Sequence, residues 1–175
     1  MNMSLDGFCD HTFITPNDEM TQHYNDLLKE SGDLLYGRTT YQLMEDYWPL
    51  LVKNPSGDKT EDEFAVLIDE ISKVVFSHTL KEVSWKNSRI ATRSLEEEIA
   101  ALRKESGSPI FIGSPGLIAQ ALELNLVDEL QIMIHPLIAG KGLVLFKNIS
   151  EQINLKLLET KTFNCGAVVL YYQRG

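Results

Sequence analysis

Leu34-Leu35-Tyr36-Gly37-Arg38-Thr39-Thr40 is the most telling stretch of this chain. An apolar run without polar alternation ends in a glycine, a cation and two hydroxyls. Such a run suits a strand covered on both faces, as in a parallel sheet with crossover helices. The hydroxyls after it open a helix. The same order returns at Ile110-Phe111-Ile112-Gly113-Ser114-Pro115-Gly116, and a third apolar run, Val74-Val75-Phe76, meets Ser77-His78-Thr79. In an open α/β sheet, ligands bind beyond the carboxyl ends of the strands. These three junctions are therefore where chemistry is expected.

Working outward, the pattern predicts strands over residues 33–36, 73–77, 89–92 and 109–113, with helices between them. Thr15-Pro16-Asn17-Asp18 reads as a capping hydroxyl, a proline at the first helical position and an acid near the positive helix end. Met20, Tyr24, Leu27 and Leu28 follow at helical spacing up to Gly32, and His23 is expected on the solvated side. Thr60 with Glu63 and Ser94 with Glu97 read as capping boxes. A short helix is expected over residues 39–47, stopped at Pro49. Residues 129–135, 155–163 and 167–173 are strand-like, and Asn164-Cys165-Gly166 reads as a hairpin loop. The expected architecture is one α/β domain over residues 1–175, with three layers. Its sheet is mixed and mostly parallel, helices cover both faces, and an antiparallel hairpin closes the C-terminal end.

The chain has 175 residues, 43% of them apolar and 23% charged, with 25 acidic against 16 basic side chains. A charge of −9 argues against nucleic acid or an anionic membrane as partner, since both demand a cationic face. No apolar run approaches the roughly 20 residues needed to span a bilayer. Residues 1–8 lack the basic and apolar regions of a signal peptide, so a cytoplasmic protein is expected. The two cysteines, Cys9 and Cys165, sit in no CxxC pair and are expected to behave as small hydrophobes. The four histidines are scattered, and no metal site is expected. GxSxG, HExxH, the zinc-deaminase pattern, GxGxxG and the P-loop are all missing.

At the first junction, glycine lets backbone approach a ligand, and a helix N-terminus favours an anion by about 0.3–1 kcal/mol when exposed. Arg38 adds a charge-assisted bond of about 1.5–3 kcal/mol. A glycine turn with a capping Thr39 and a solvated Arg38 fits the same residues. The Gly113 turn is equally open between a pyrophosphate cradle and a capped helix entered by a tight turn. Two such junctions in one chain favour a dinucleotide more than either does alone. Tyr47-Trp48-Pro49 closes a helix and fits core packing or an aromatic pocket.

Met3-Ser4-Leu5-Asp6-Gly7-Phe8, Leu35-Tyr36-Gly37-Arg38-Thr39-Thr40-Tyr41, Val74-Val75-Phe76-Ser77-His78-Thr79 and Ile112-Gly113-Ser114-Pro115-Gly116-Leu117-Ile118 occur in the order seen in dihydrofolate-reductase-like proteins. With Leu126-Val127-Asp128-Glu129-Leu130 and Pro136-Leu137-Ile138-Ala139-Gly140-Lys141-Gly142, the chain resembles the C-terminal reductase domain of the bifunctional riboflavin-biosynthesis deaminase-reductase. No part of these 175 residues resembles the deaminase half. The resemblance implies an NADPH-dependent reductase of a small heterocycle or ribosylamino-pyrimidine, working as a homodimer. It implies cofactor phosphates at Gly37, Arg38, Thr39 and Thr40, and at Gly113, Ser114, Pro115, Gly116, Leu117 and Ile118. It implies the adenosine 2′-phosphate at Ser77, His78 and Thr79. The family commonly carries Arg where His78 stands, which leaves NADH open beside NADPH. Substrate contacts are expected from Asp6, Gly7, Tyr41 and Trp48. Asp18 is the expected proton source, with water as the alternative. A nucleotide-binding or oligomerisation module of the same fold, without turnover, is the second expectation.

Overall fold

The computed structural model describes residues 1–105, 107–147 and 149–175. In chain order its first elements are β1 (Asn2–Ser4), α1 (Asp18–Glu30), β2 (Asp33–Gly37), α2 (Arg38–Glu45), α3 (Trp48–Lys53), α4 (Lys59–Glu70), β3 (Ser72–Phe76) and β4 (Ser88–Ile90). Then follow α5 (Leu95–Glu105), β5 (Ile110–Ile112), α6 (Pro115–Glu123), β6 (Leu130–His135), β7 (Leu155–Thr162) and β8 (Val168–Arg174). Two compact units divide these elements, one made of Asn17–Leu117 and the other of Met1–Pro16 with Ile118–Gly175.

In the Asn17–Leu117 unit the sheet order is β4-β3-β2-β5, and every pairing is parallel. Leu34, Leu35, Val74 and Val75 are buried almost completely, which explains why their runs lack polar alternation. Each contributes about 1.5–3 kcal/mol relative to leaving it exposed. Leu28, Tyr41, Ile68, Ile71 and Trp85 complete the packed core around Leu34, Tyr36 and Val75.

The helix starts depart from the sequence reading in instructive ways. Asn17, not Thr15, caps α1, because its Oδ1 accepts the Met20 N–H at 2.9 Å. Asp58, not Thr60, caps α4 by accepting the Thr60 and Glu61 amides, both at 2.9 Å. Glu63 is not free to close a box with Thr60. It pairs with Lys29 at 2.9 Å and accepts from Asn25 at 3.2 Å. The Ser94 and Glu97 box forms as expected, with the Glu97 N–H on Ser94 Oγ and the Ser94 N–H on Glu97 Oε2. Pro49 starts α3 instead of stopping α2, since a first-turn proline has no hydrogen bond to lose. His23 is buried, not solvated. It lies three residues after Met20 and four before Leu27, on the same helical stripe.

In the Met1–Pro16 and Ile118–Gly175 unit the order is β1-β6-β8-β7. β1 runs parallel to β6, whereas β6, β8 and β7 pair antiparallel. Gly166, at φ +85°, turns the β7–β8 hairpin; its N–H donates to Phe163 O at 2.9 Å. Both cysteines are free, Cys9 buried and Cys165 exposed. Among the described residues no helix is long and apolar enough to cross a membrane, and no group of three or more His, Cys, Asp or Glu gathers to hold a metal.

Lys73 is the unexpected core residue. Its side chain is completely buried, and Nζ donates to the carbonyls of Asp69 (3.0 Å), Ile71 (2.8 Å) and Lys86 (3.3 Å). It also lies 4.4 Å from the Trp85 ring centroid. A cation thereby closes the negative C-terminal end of α4 and joins it to the segment before β4. Burial pulls its pKa down to about 8, against the opposing attraction of Asp69. Lys73→Met is expected to destabilise the protein by about 1–3 kcal/mol, because buried carbonyls lose their donor. Between about pH 8 and the ordinary lysine value, the unfolded chain holds more protons at this site than the folded one. Stability of the native protein relative to Lys73→Met therefore rises with pH over that window. Urea unfolding of both proteins across it checks the sign.

Candidate functional site

β2 lies between β3 and β5, with Gly37 level with Phe76 and Leu35 level with Ile112. The chain leaves β2 towards β3 on one side and returns as β5 on the other. That reversal makes a topological switch point at the carboxyl ends of β2 and β5, the place where open α/β sheets hold ligands. The two junctions there are joined directly. The Gly37 N–H donates to Ser114 Oγ at 2.8 Å, and the Gly113 N–H donates to Leu35 O at 3.0 Å. Ser114 is buried in making this link.

The glycines divide their roles. The Gly37 amide is taken by Ser114, so this residue orders the junction and does not offer a free donor. Gly113 is required by packing, because a Cβ there would stand 2.6 Å from Tyr36 Cε1. Gly116 alone faces open space, with nothing within 4 Å of a Cβ at that position. Pro115 is the first residue of α6 and brings no N–H. Leu117 and Ile118 have buried side chains, so only their backbone is available to a ligand, and Ile118 falls in the other unit. Arg38 and Thr39 are exposed in the first turn of α2, with Thr40 half-buried behind them. Arg38 Nη1 donates to Gln42 Oε1 at 3.4 Å, a long contact. After β3, Ser77 Oγ accepts the Thr79 and Leu80 amides at 3.2 and 2.9 Å. Its hydroxyl therefore folds the turn that presents His78 and Thr79, both exposed.

The remaining expected residues divide between the two units, Asp6 and Gly7 in one and Asp18, Tyr41 and Trp48 in the other. Asp18 is exposed as the first residue of α1. Tyr41 is completely buried. Its hydroxyl donates to Glu45 at 2.7 Å and accepts the Trp85 N–H at 3.1 Å, which leaves no exposed surface for a ligand. Trp48 packs on the core against Phe64, with centroids 4.5 Å apart. Asp6 is a latch: it accepts Ser4 Oγ at 2.6 Å and the Ala139 and Gly140 amides at 3.0 and 2.7 Å. Those bonds, the Ser4 hydroxyl first, hold its carboxyl down at about 2. Gly7 turns the chain beside it at φ +89°.

The strand expected over residues 89–92 also ends in charged residues that were not among the expected site residues. β4 ends at Ile90, and Ala91-Thr92-Arg93 leads to the Ser94 cap of α5. Glu98, on α5, is completely buried. It pairs closely with Arg89 of β4 and, at 3.7 Å, with Arg93. The signal was present: Arg93 before a capping serine repeats the order of Arg38 before Thr39.

The model of the RibD C-terminal domain family matches residues 1–169. The chain belongs to that family. The uncharacterized protein YyaP of Bacillus subtilis (strain 168) is 35% identical over 150 residues, covering 85% of this chain and 77% of YyaP. A putative riboflavin biosynthesis protein from Shewanella sp. PV-4 has a similar crystal structure, with a TM-score of 0.76 at 19% identity, covering all of this chain and 96% of that one. A pyrimidine reductase-like protein from Corynebacterium diphtheriae gives 0.68 at 17% identity, covering 99% of this chain and 89% of that one. The mixed α/β, dihydrofolate-reductase-like fold is as expected from the sequence, and the family is that of RibD reductase domains.

Gly113→Ala separates packing from ligand approach at the RibD-like turn. Overpacking against the buried Tyr36 ring is expected to cost about 1–3 kcal/mol of stability. Gly116→Ala, in open space, should leave stability nearly unchanged. Urea midpoints of the two variants check the contrast.

Proposed function

We propose that the chain is a single NADPH-dependent reductase domain, acting in the cytoplasm on a small heterocycle or ribosylamino-pyrimidine. The observation that carries this reading is the hydrogen-bonded pair of junctions at the β2/β5 switch point. An exposed guanidinium and an exposed hydroxyl stand on one junction, and the open first turn of a helix on the other. A pyrophosphate fits that donor set. Arg38 would bind it by charge-assisted bonds, and the first backbone amides of α6, which have no partner within the helix, would complete the cradle. Family membership supports the choice of cofactor, and the pyrimidine reductase-like neighbour supports the substrate class.

NADPH bound there supplies a hydride. The protein's own task is to hold the phosphates, keep the reacting ring oriented and deliver one proton, so that hydride and proton together complete a two-electron reduction. In this reading Asp18 passes that proton to the substrate, with water as the alternative source. Tyr41 and Trp48 serve by fixing the helices that carry the site, and Asp6 and Gly7 order the loop of their own unit.

The reading includes a homodimer. β7 is the terminal strand of its sheet, and Leu155, Leu157 and Leu158 on it are exposed. A long strand edge with exposed leucines calls for a cover, and a second copy of the chain provides one.

Titration with NADPH is expected to quench the emission of Trp48 and Trp85 by energy transfer to the reduced nicotinamide. Arg38→Ala should weaken binding about ten- to a hundredfold, the equivalent of one charge-assisted hydrogen bond, with unchanged folding. Absence of quenching at millimolar NADPH and NADH overturns the assignment. Cofactor binding without reduction of any pterin or pyrimidine acceptor would instead mark a nucleotide-binding module. Sedimentation at micromolar concentration is expected to give a dimer, and Leu157→Lys a monomer.

A further inference from the structure

We propose that the Tyr36 hydroxyl is a substrate-binding group, donating a hydrogen bond to a ring carbonyl oxygen of the heterocycle taken up at the β2/β5 switch point. The inference rests on the reductase reading above and adds to it a residue that recognises the ring.

Two tyrosines lie deep in the Asn17–Leu117 unit, and their hydroxyls stand in opposite situations. Tyr41 is completely buried, and its hydroxyl is engaged on both sides, by Glu45 and by the Trp85 N–H. Tyr36 is only 3% exposed, yet none of the described residues donates to its hydroxyl or accepts from it. Burial alone pushes its pKa up, and no hydrogen bond acts on it. A buried hydroxyl without a partner costs the fold stability. Phenylalanine would fill the same place beside Leu28, Leu34, Ile68 and Val75 without that cost. The hydroxyl therefore has a use outside the folding of the chain.

Its position says where. Leu35 is level with Ile112, so Tyr36 comes level with Gly113. Its ring lies across that glycine: a Cβ there would stand 2.6 Å from Tyr36 Cε1 and 3.2 Å from Cδ1. The nearer carbon adjoins the one that bears the hydroxyl, so the hydroxyl end of the ring sits at the turn between β5 and α6. Among the described residues, the sealed side-chain atoms without a partner are Asn25 Oδ1, Glu98 Oε2 and Gln131 Oε1. The Tyr36 oxygen is not one of them, so the small exposure of this residue includes its oxygen. Helix α1 comes to the same end. Only Ser31 and Gly32 separate it from β2, so it runs back along the strand. Its 13 residues rise about 20 Å and the 5 of β2 about 17 Å, which returns the first turn of α1, with Asp18, to the level of Gly37. A ring taken up at that end meets the phenol from the sheet and Asp18 from the helix. Burial keeps the phenol protonated, so it always has an O–H to give. A ring carbonyl, which can only accept, is its complement.

The test measures, by calorimetry with NADPH in excess, the dissociation constants of 6-aminouracil and of 2,4,6-triaminopyrimidine, in which amino groups replace both carbonyls. The native protein and Tyr36→Phe are compared, with NADPH affinity and thermal melting recorded for each. The native protein is expected to prefer 6-aminouracil. Tyr36→Phe should lose 6-aminouracil affinity about five- to a hundredfold, and the preference with it, while NADPH affinity stays unchanged and the melting temperature falls no lower than that of the native protein. Unchanged affinity for 6-aminouracil overturns the proposal. So does an equal loss for the two pyrimidines, or a matching loss for NADPH. A lower melting temperature, or failure to fold, overturns it as well, since the hydroxyl would then serve the fold. If the native protein binds NADPH but not 6-aminouracil, this proposal fails and the cofactor reading stands. If it binds neither, both fail.

Discussion

The hydrogen bond from the Gly37 N–H to Ser114 Oγ, 2.8 Å long, governs the geometry on which the proposed site depends. It joins two β-to-α junctions that are far apart in the chain. With it, the first turns of α2 and α6 are held in one arrangement at the point where the sheet order reverses. Ser114 is buried to make the bond, and Gly113 must lack a Cβ so that the turn can lie against Tyr36. Leaving the Gly37 amide unpaired would cost about 1–3 kcal/mol. A serine at this position is therefore bound up with the fold as well as with the site.

That division of labour explains what the sequence could and could not disclose. The apolar runs at Leu34-Leu35-Tyr36, Val74-Val75-Phe76 and Ile110-Phe111-Ile112 announce a parallel sheet, and the structure has those strands; burial on both faces removes alternation at Leu34, Leu35, Val74 and Val75, whereas Ile110, Phe111 and Ile112 on the terminal strand β5 are half-buried. The junction residues were legible for the same reason, since glycine, cation and hydroxyl after an apolar run have few other uses. The roles of the glycines were not legible. Gly37, Gly113 and Gly116 look alike in the sequence, yet one has its amide occupied, one meets a tyrosine ring and one faces open space. Only the packing around each distinguishes them. Asp6 and Tyr41 show the same limit. A polar residue near a glycine reads as a ligand contact, but three donors already surround Asp6, and the Tyr41 hydroxyl is engaged on both sides.

Helix caps were misread by a few residues wherever two candidates lay side by side. Asn17 wins over Thr15, and Asp58 over Thr60. In the second case the deciding factor lies outside the local sequence. Glu63 is drawn to Lys29 and Asn25 on α1, and a capping box whose acid is engaged elsewhere cannot close. Local propensity sets the menu of starts, and tertiary pairing selects among them.

The net charge of −9 and an anionic cofactor are compatible because charge acts locally. At physiological salt the screening length is about 8 Å, so most of the acidic surface is not felt at the sheet edge. What counts there is the set of cations within one side-chain length. Buried carboxylates contribute by fixing where those cations stand. A buried ion pair adds little stability against an apolar replacement, because desolvation offsets its attraction; what it does supply is position. Glu98 has no access to solvent and is paired with two arginines, Arg89 on its strand and Arg93 at the strand end. The same logic places Lys73, whose buried ammonium is held by three carbonyls and so fixes the C-terminal end of α4 against the segment entering β4. Charges hidden in the sheet thus set the positions of the charges displayed at its edge.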